Sequence, residues 1–197
     1  LELHKESNLF FDWYLKNNNQ KKNFKKNKDR IKKELNILYK KLHFQEMCFV
    51  HRDFHASNIM LKNNKFGLID SQDALSGNLL YDVASLIDDV RIKLPQKLKI
   101  LLFNYYLSKT SKIKKNNEKL LAKNDFDILS VQRNLKILGI FVRLYKRDNK
   151  PNYLKYLPYI WQLLELRLKN PILIKLNHLL DKALPKKNRI KINFDDN

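Results

Sequence analysis

Two short apolar runs, Ile59-Met60-Leu61 and Phe66-Gly67-Leu68-Ile69, flank the polar step Lys62-Asn63-Asn64-Lys65. Asn accepts the left-handed backbone that a two-residue turn demands, so this segment predicts a β-hairpin. On either side of it, apolar residues recur at helical spacing. Leu3, Leu9, Phe10, Trp13 and Tyr14 predict an amphipathic helix over about 2–17. Ile31, Leu35, Leu38, Tyr39 and Leu42 predict another, running to about residue 46. Further helical periods cover about 79–93, 96–109, 118–145, 153–169 and 172–184. Pro95, Pro151, Pro171 and Pro185 stand near the boundaries of these periods, and Pro158 is placed to open the fourth of them. The expected fold is mainly α with a small β-hairpin, an α+β arrangement spanning residues 1–185, followed by a polar, frayed tail over 186–197.

With 197 residues, 44% hydrophobic and 11% aromatic, the chain can build a core of ordinary domain size, which excludes a disordered basic tail. The formal net charge is +20. It comes from 32 Lys and only 8 Arg, accompanied by 23 Asn and 16 Ile, all residues that A/T-rich codons favour. Bidentate phosphate and base recognition favours Arg, so the excess reads as solvated lysine faces and no specific nucleic-acid partner is expected. The densest run, Gln20 to Lys41, holds ten basic and two acidic residues, and its first part, Lys21 to Lys28, reads as an exposed loop. The single cysteine, Cys48, excludes a disulfide framework and a Cys-based zinc site. No run of 18 apolar residues exists, so no membrane span is expected, and with the lysines read as solvated no membrane partner is expected either. The first residues lack the layout of a signal peptide, which makes a cytoplasmic location the expectation.

Against that basic background one segment has the opposite sign. From His51 to Asp89 lie six aspartates and three basic residues, a net −3. Carboxylates gathered for a hard cation would explain such an island. Within it, His51-Arg52-Asp53-Phe54-His55-Ala56-Ser57-Asn58 has the form H-R-D-x-x-x-x-N, and Asp70 follows twelve residues after Asn58, at the end of the second hairpin strand. This is the kinase catalytic-loop signature followed by a metal-binding aspartate. An Asp on such a loop can accept a proton from a hydroxyl attacking the γ-phosphorus of ATP. An Asn five residues on can turn an amide oxygen to Mg²⁺, and the hairpin returns a second Asp to the same point. Mg²⁺ takes one or two protein carboxylates and completes its shell with phosphate and water, which suits this set. Asp88 and Asp89 fall on a later helical face and read as solvated.

The motif His51 to Asn58 followed by Ile69-Asp70 resembles the aminoglycoside-phosphotransferase-like kinases, small-molecule relatives of the protein kinases. His55 matches that family's second histidine, and Asp70 precedes Ser71-Gln72 where protein kinases have Phe-Gly. Gln72-Asp73-Ala74, Gly77, Tyr81 to Leu86, and Leu138 to Asp148 resemble the bacterial anomeric kinases of N-acetylmuramate and N-acetylglucosamine, as does Phe10 to Leu15. The resemblance covers about residues 8–165. It implies a kinase-like C-terminal lobe, ATP and Mg²⁺ as cofactors, and a small-molecule sugar as substrate, in cell-wall recycling. Asp53 would be the base, and Asn58 and Asp70 the Mg²⁺ ligands. His51 would support the loop, His55 would support it or contact substrate, and Asp82 would accept the loop's backbone N–H groups or act as an ordinary helix N-cap. Asp73 would grip sugar hydroxyls or lie in a surface turn. Arg143 would face a substrate carboxylate or solvent, while Arg147 reads as solvated. An aminoglycoside, choline or homoserine are the alternative acceptors, and a non-catalytic remnant the alternative role. The family's N-terminal ATP-binding lobe, with its phosphate loop and strand-borne Lys, has no counterpart here. All three glycines (67, 77, 139) come late, and the chain reads as one that begins at the C-terminal lobe. Little or no kinase activity is expected of this polypeptide alone.

Overall fold

The computed structural model describes residues 2–18, 24–45 and 48–190. They form two compact units, Leu1–Lys41 with Val131–Asn197, and Leu42–Ser130.

The first unit is helical. Helix α1 (Glu2–Leu9) passes directly into a π-helical turn, Phe10–Leu15, in place of the continuous α-helix that the periodicity predicts. The wider turn puts Phe10, Phe11, Tyr14 and Leu15 all inside. Helix α2 (Phe24–Lys40) buries Ile31, Leu35, Leu38 and Tyr39 at the expected spacing. It begins earlier than the sequence suggests, so Lys25, Lys26 and Lys28 are helical and not part of a loop, whereas Lys21 to Asn23 lie outside the described residues. The rest of the unit comes from the far end of the chain. It comprises the second half of α5 (Asn116–Asp148), α6 (Leu157–Arg167) and α7 (Ile174–Ala183). Pro151 and Pro171 each open a short 3₁₀ turn, and Pro158 sits in the first turn of α6, where a missing N–H costs nothing.

Several polar groups buried in this unit are paired. Tyr14 stacks on Phe10 (5.6 Å) and takes the indole N–H of Trp161 at 2.7 Å. Its hydroxyl donates to the carbonyl of Arg189, and burial raises its pKa well above that of a free phenol. Glu6 accepts from Gln132 (2.8 Å) and Lys136 (2.9 Å). The polar tail expected from residue 186 is ordered at its start. Lys186–Asn188 forms a 3₁₀ turn, and the buried guanidinium of Arg189 lies 4.3 Å from the Trp161 ring centroid and pairs with Glu165 and Asp181. Residues 191–197 of that tail lie outside the described residues.

The second unit holds all the β-structure described. Strands β2 (Ile59–Lys62) and β3 (Lys65–Leu68) form the expected hairpin, with Lys62 opposite Lys65. Asn63 and Asn64 turn it at φ 51° and 57°, as a turn of this hand requires. A second antiparallel pair, which the sequence reading did not contain, joins β1 (Cys48–Val50) to β4 (Leu75–Gly77), with Val50 opposite Leu75. Helices α3 (Tyr81–Ile87), α4 (Gln96–Lys109) and the first half of α5 complete the unit. Its core gathers Val50, Leu80, Ala84, Ile87, Phe126 and Leu129.

Two expectations fail here for electrostatic reasons. Helix α2 stops at Lys40 and not near 46, because Asp125 takes the next free backbone donors, the N–H groups of His43 (3.0 Å) and Phe44 (2.9 Å). The helix predicted over 79–93 shrinks to α3, and Asp88 and Asp89, expected in solvent, are buried. Asp88 pairs with buried Lys99 of α4 at 2.7 Å and accepts the Ser130 hydroxyl at 2.6 Å. Asp89 accepts the backbone N–H of Arg91 at 3.0 Å, which turns the chain out of the helix.

Candidate functional site

Strand β1 delivers the motif. Val50 is buried at its end, and the next two backbone N–H groups point at one carboxylate. Asp82 accepts from His51 N–H through Oδ2 (2.6 Å) and from Arg52 N–H through Oδ1 (3.0 Å). Asp82 lies within the first turn of α3, two residues after the N-cap position held by Leu80, and both of its carboxylate oxygens reach the loop. Arg52 has φ 72°, a left-handed conformation that a non-glycine residue adopts at a cost of about 1–2 kcal/mol. Two hydrogen bonds to a charged acceptor, each worth about 1.5–3 kcal/mol, hold it there. Beyond the kink Arg52 donates from a guanidinium nitrogen to the Asp73 carbonyl at 3.2 Å.

The loop then closes on itself. His55 N–H donates to the Asp53 carbonyl (3.0 Å), Asn58 N–H to the His55 carbonyl (2.9 Å), and the Asn58 side-chain Nδ2 to the Asp53 carbonyl (3.0 Å). Tying the amide nitrogen in this way leaves Oδ1 as the acceptor of the Asn58 side chain. The half-buried Asp53 carboxylate, by contrast, accepts no hydrogen bond among the described residues.

The hairpin returns the chain to the same place. Ile69 N–H donates to the Asn58 carbonyl at 3.2 Å, extending the ladder one step past the strands and setting Asp70 next to the loop. Asp70 is the second left-handed residue of the site (φ 71°), and its Oδ1 accepts from Gln72 Nε2 at 3.0 Å. The buried His51 ring has Nε2 2.9 Å from the Ile69 carbonyl oxygen, which can only accept, so Nε2 carries the proton. His51 thereby joins the start of the loop to the residue before Asp70. The negative field extends to neighbours. Burial first, and Asp82 in addition, push up the Cys48 thiol and the Tyr106 phenol.

His51, Asp53, His55, Asn58, Asp70, Asp73 and Asp82 therefore fall in one stretch of the second unit, with Asp70 and Asp73 exposed. Arg143 belongs to the first unit, half-buried on α5, while Arg147 is exposed and pairs with Asp148 at 2.7 Å. Gln72 and Asn78 went unassigned in the sequence. Asn78 is buried, accepts Leu80 N–H at 2.9 Å and donates to Asp125 at 2.6 Å, so it fixes the entry to α3 from which Asp82 projects. An Asn three residues before the first helical position was the available signal for it.

The chain is similar in sequence to known proteins. The chain is similar to the N-acetylmuramate/N-acetylglucosamine kinase of Pseudomonas aeruginosa, 34% identical over 183 residues that cover 90% of this chain and 54% of that protein. It is also similar to the proteins of the same name from Neisseria meningitidis serogroup B and Caulobacter vibrioides. The first is 32% identical, over 78% of this chain and 47% of the relative. The second is 29% identical, over 72% and 39%. The chain thus spans about half the length of the curated relatives it matches. The sequence model of the phosphotransferase enzyme family matches residues 2–114, a stretch that contains both the loop and the hairpin. The chain belongs to the phosphotransferase enzyme family.

Proposed function

We infer that this chain is the catalytic half of an ATP-dependent small-molecule kinase, with the fold of a kinase-like C-terminal lobe, and that its acceptor is the anomeric hydroxyl of an N-acetylated amino sugar. One observation carries the reading. A loop pinned at His51 and Arg52 by Asp82 presents an unengaged Asp53 carboxylate, with the Asn58 amide oxygen and Asp70 on the adjoining backbone. The names of the relatives support the acceptor class.

In this reading Asp53 accepts the proton of the sugar hydroxyl while that oxygen bonds to the γ-phosphorus and the bond to ADP breaks. A carboxylate already engaged in hydrogen bonds would do this poorly, and that of Asp53 accepts none among the described residues. Asn58 Oδ1 and Asp70 would hold Mg²⁺, which when bound neutralises charge on the phosphates. Hard oxygen donors with a single carboxylate fit that ion. No cluster of three or more His, Cys, Asp or Glu stands among the described residues to favour a closed protein cage instead. Gln72 keeps the Asp70 carboxylate oriented, and Asp73, exposed beside it, is assigned to sugar hydroxyls.

We assign the nucleotide-holding part to the length of the relatives that this chain does not span. The hairpin offers it a seat, since Met60, Leu61, Phe66 and Leu68 all face solvent, Phe66 at 78% exposure. A polypeptide without that part would lose the phosphate contacts assigned to it. At about 1.4 kcal/mol per decade, losing several kcal/mol slows turnover by several powers of ten. The test is phosphorylation of N-acetylmuramate, N-acetylglucosamine, choline, homoserine and an aminoglycoside by the full-length protein with ATP and Mg²⁺. Asp53→Asn is expected to lower turnover about 100- to 10,000-fold on an amino sugar. Undiminished turnover would remove Asp53 as the base, and preference for another acceptor would remove the sugar assignment.

A further inference from the structure

Helix α4 carries its residues the wrong way round for a helix packed on one side. Its buried positions are Lys99 and Leu107, while Leu101, Tyr105 and Ile100 are 63%, 61% and 52% exposed and Leu98 is exposed beside them. Leu98, Leu101 and Tyr105 are three and four residues apart, so they form one stripe along the helix. The inward cation is explained by Asp88, but nothing within the unit accounts for the outward stripe.

The surroundings of the stripe have one sign. Between Arg91 and Lys119 eight exposed residues are Lys or Arg, and Glu118 is the one acidic residue of that stretch. Lys97 and Lys109 stand at the two ends of the helix, and the Lys109 ammonium lies 5.5 Å from the Tyr105 ring centroid. Apolar side chains and a tyrosine rimmed by lysines form the pattern of a helix that lies in a lipid headgroup layer.

We propose that this face adsorbs to an anionic bilayer, with α4 along the surface, its stripe at the acyl boundary and its lysines among the headgroups. Charge complementarity selects the occupant. A second copy of a chain carrying +20 would meet the lysine rim with more lysine. The exposed side of one helix also supplies no groove for a partner helix, whereas a fluid surface needs none. The attachment is peripheral, because no helix among the described residues is long and apolar enough to cross a membrane.

The test is co-sedimentation of the protein with vesicles of phosphatidylcholine containing a third phosphatidylglycerol, and with phosphatidylcholine alone. The protein is expected to sediment with the anionic vesicles only. Leu101→Ser/Tyr105→Ser, which keeps every charge, is expected to lower the partition coefficient about tenfold. Lys97→Gln/Lys109→Gln is expected to lower it and to flatten its salt dependence. All four side chains are exposed, and circular dichroism checks that the fold survives. Three results would overturn the proposal. One is no sedimentation of the wild-type protein. Another is undiminished binding by the Leu101/Tyr105 variant, which would leave generic lysine attraction. The third is a concentration-dependent dimer, or saturable binding to an acidic amphipathic peptide, that disappears with that same variant while vesicle binding does not.

Discussion

Gly139 has no side chain because α5 leaves no room for one. A Cβ built there would overlap the carbonyl of Leu9 and lie 2.6 Å from the Phe10 nitrogen, where α1 gives way to the π-helical turn. The obstacle is backbone and cannot rotate away. Gly139→Ala gains about 1 kcal/mol of helix propensity, yet overpacking of this kind costs about 1–3 kcal/mol and more when backbone must move. The variant is expected to unfold at lower urea concentration with an unchanged m-value, and an unchanged midpoint would show that the two segments can part without cost. Arg52 and Asp70 display the other use of a single backbone position. Both are left-handed without being glycine, and they bracket the residues assigned to chemistry. Strain of this sort persists where the surroundings over-determine the conformation, as Asp82 does for Arg52.

At the scale of elements, the buried pair Asp88–Lys99 decides how α3 and α4 meet. Both side chains are nearly inaccessible, so each helps to offset the cost of burying the other's charge. Lys99→Met is expected to destabilise the protein by about 3–5 kcal/mol, since it strands a buried carboxylate. Lys99→Met/Asp88→Leu is expected to recover a large part of that loss, leaving Ser130 to lose one acceptor. Thermal unfolding of the three proteins would check this, and a double variant no better than the single one would refute the account. The same pair shows what sequence could and could not convey. The hairpin was legible because Asn63-Asn64 fixes its turn locally, and α4 because Pro95 and the apolar period bound it. The motif residues around Asp53 were legible as a spacing. The β1–β4 pairing was not, because each strand is three residues long and its partner lies 25 or more residues away. Asp88 and Asp89 were misread because two adjacent aspartates look like solvent until the lysine that neutralises one of them is placed. Arg189 was misread for the converse reason, since its Trp161, Glu165 and Asp181 partners sit on other elements.

For the molecule as a whole the charge of +20 predicts promiscuity rather than recognition. Binding to RNA is expected at low salt and is expected to weaken by a factor of about 10³ or more between 50 and 200 mM. Polyphosphate of matched charge should behave alike, and an RNA that outlasted it in a filter-binding titration would contradict this. The network on Asp125 has a consequence of another kind, in time. Its carboxylate gathers donors from His43, Phe44 and Asn78, so it secures both the start of the second unit and the approach to α3. On the ribosome Asp125 is made 82 residues after His43, a delay of about 4–16 s at 5–20 residues per second. For most of that interval the loop bearing Asp53 has been translated while the carboxylate that fixes its flanks does not yet exist, and for those seconds the nascent segment depends on whatever else in the cell shields it.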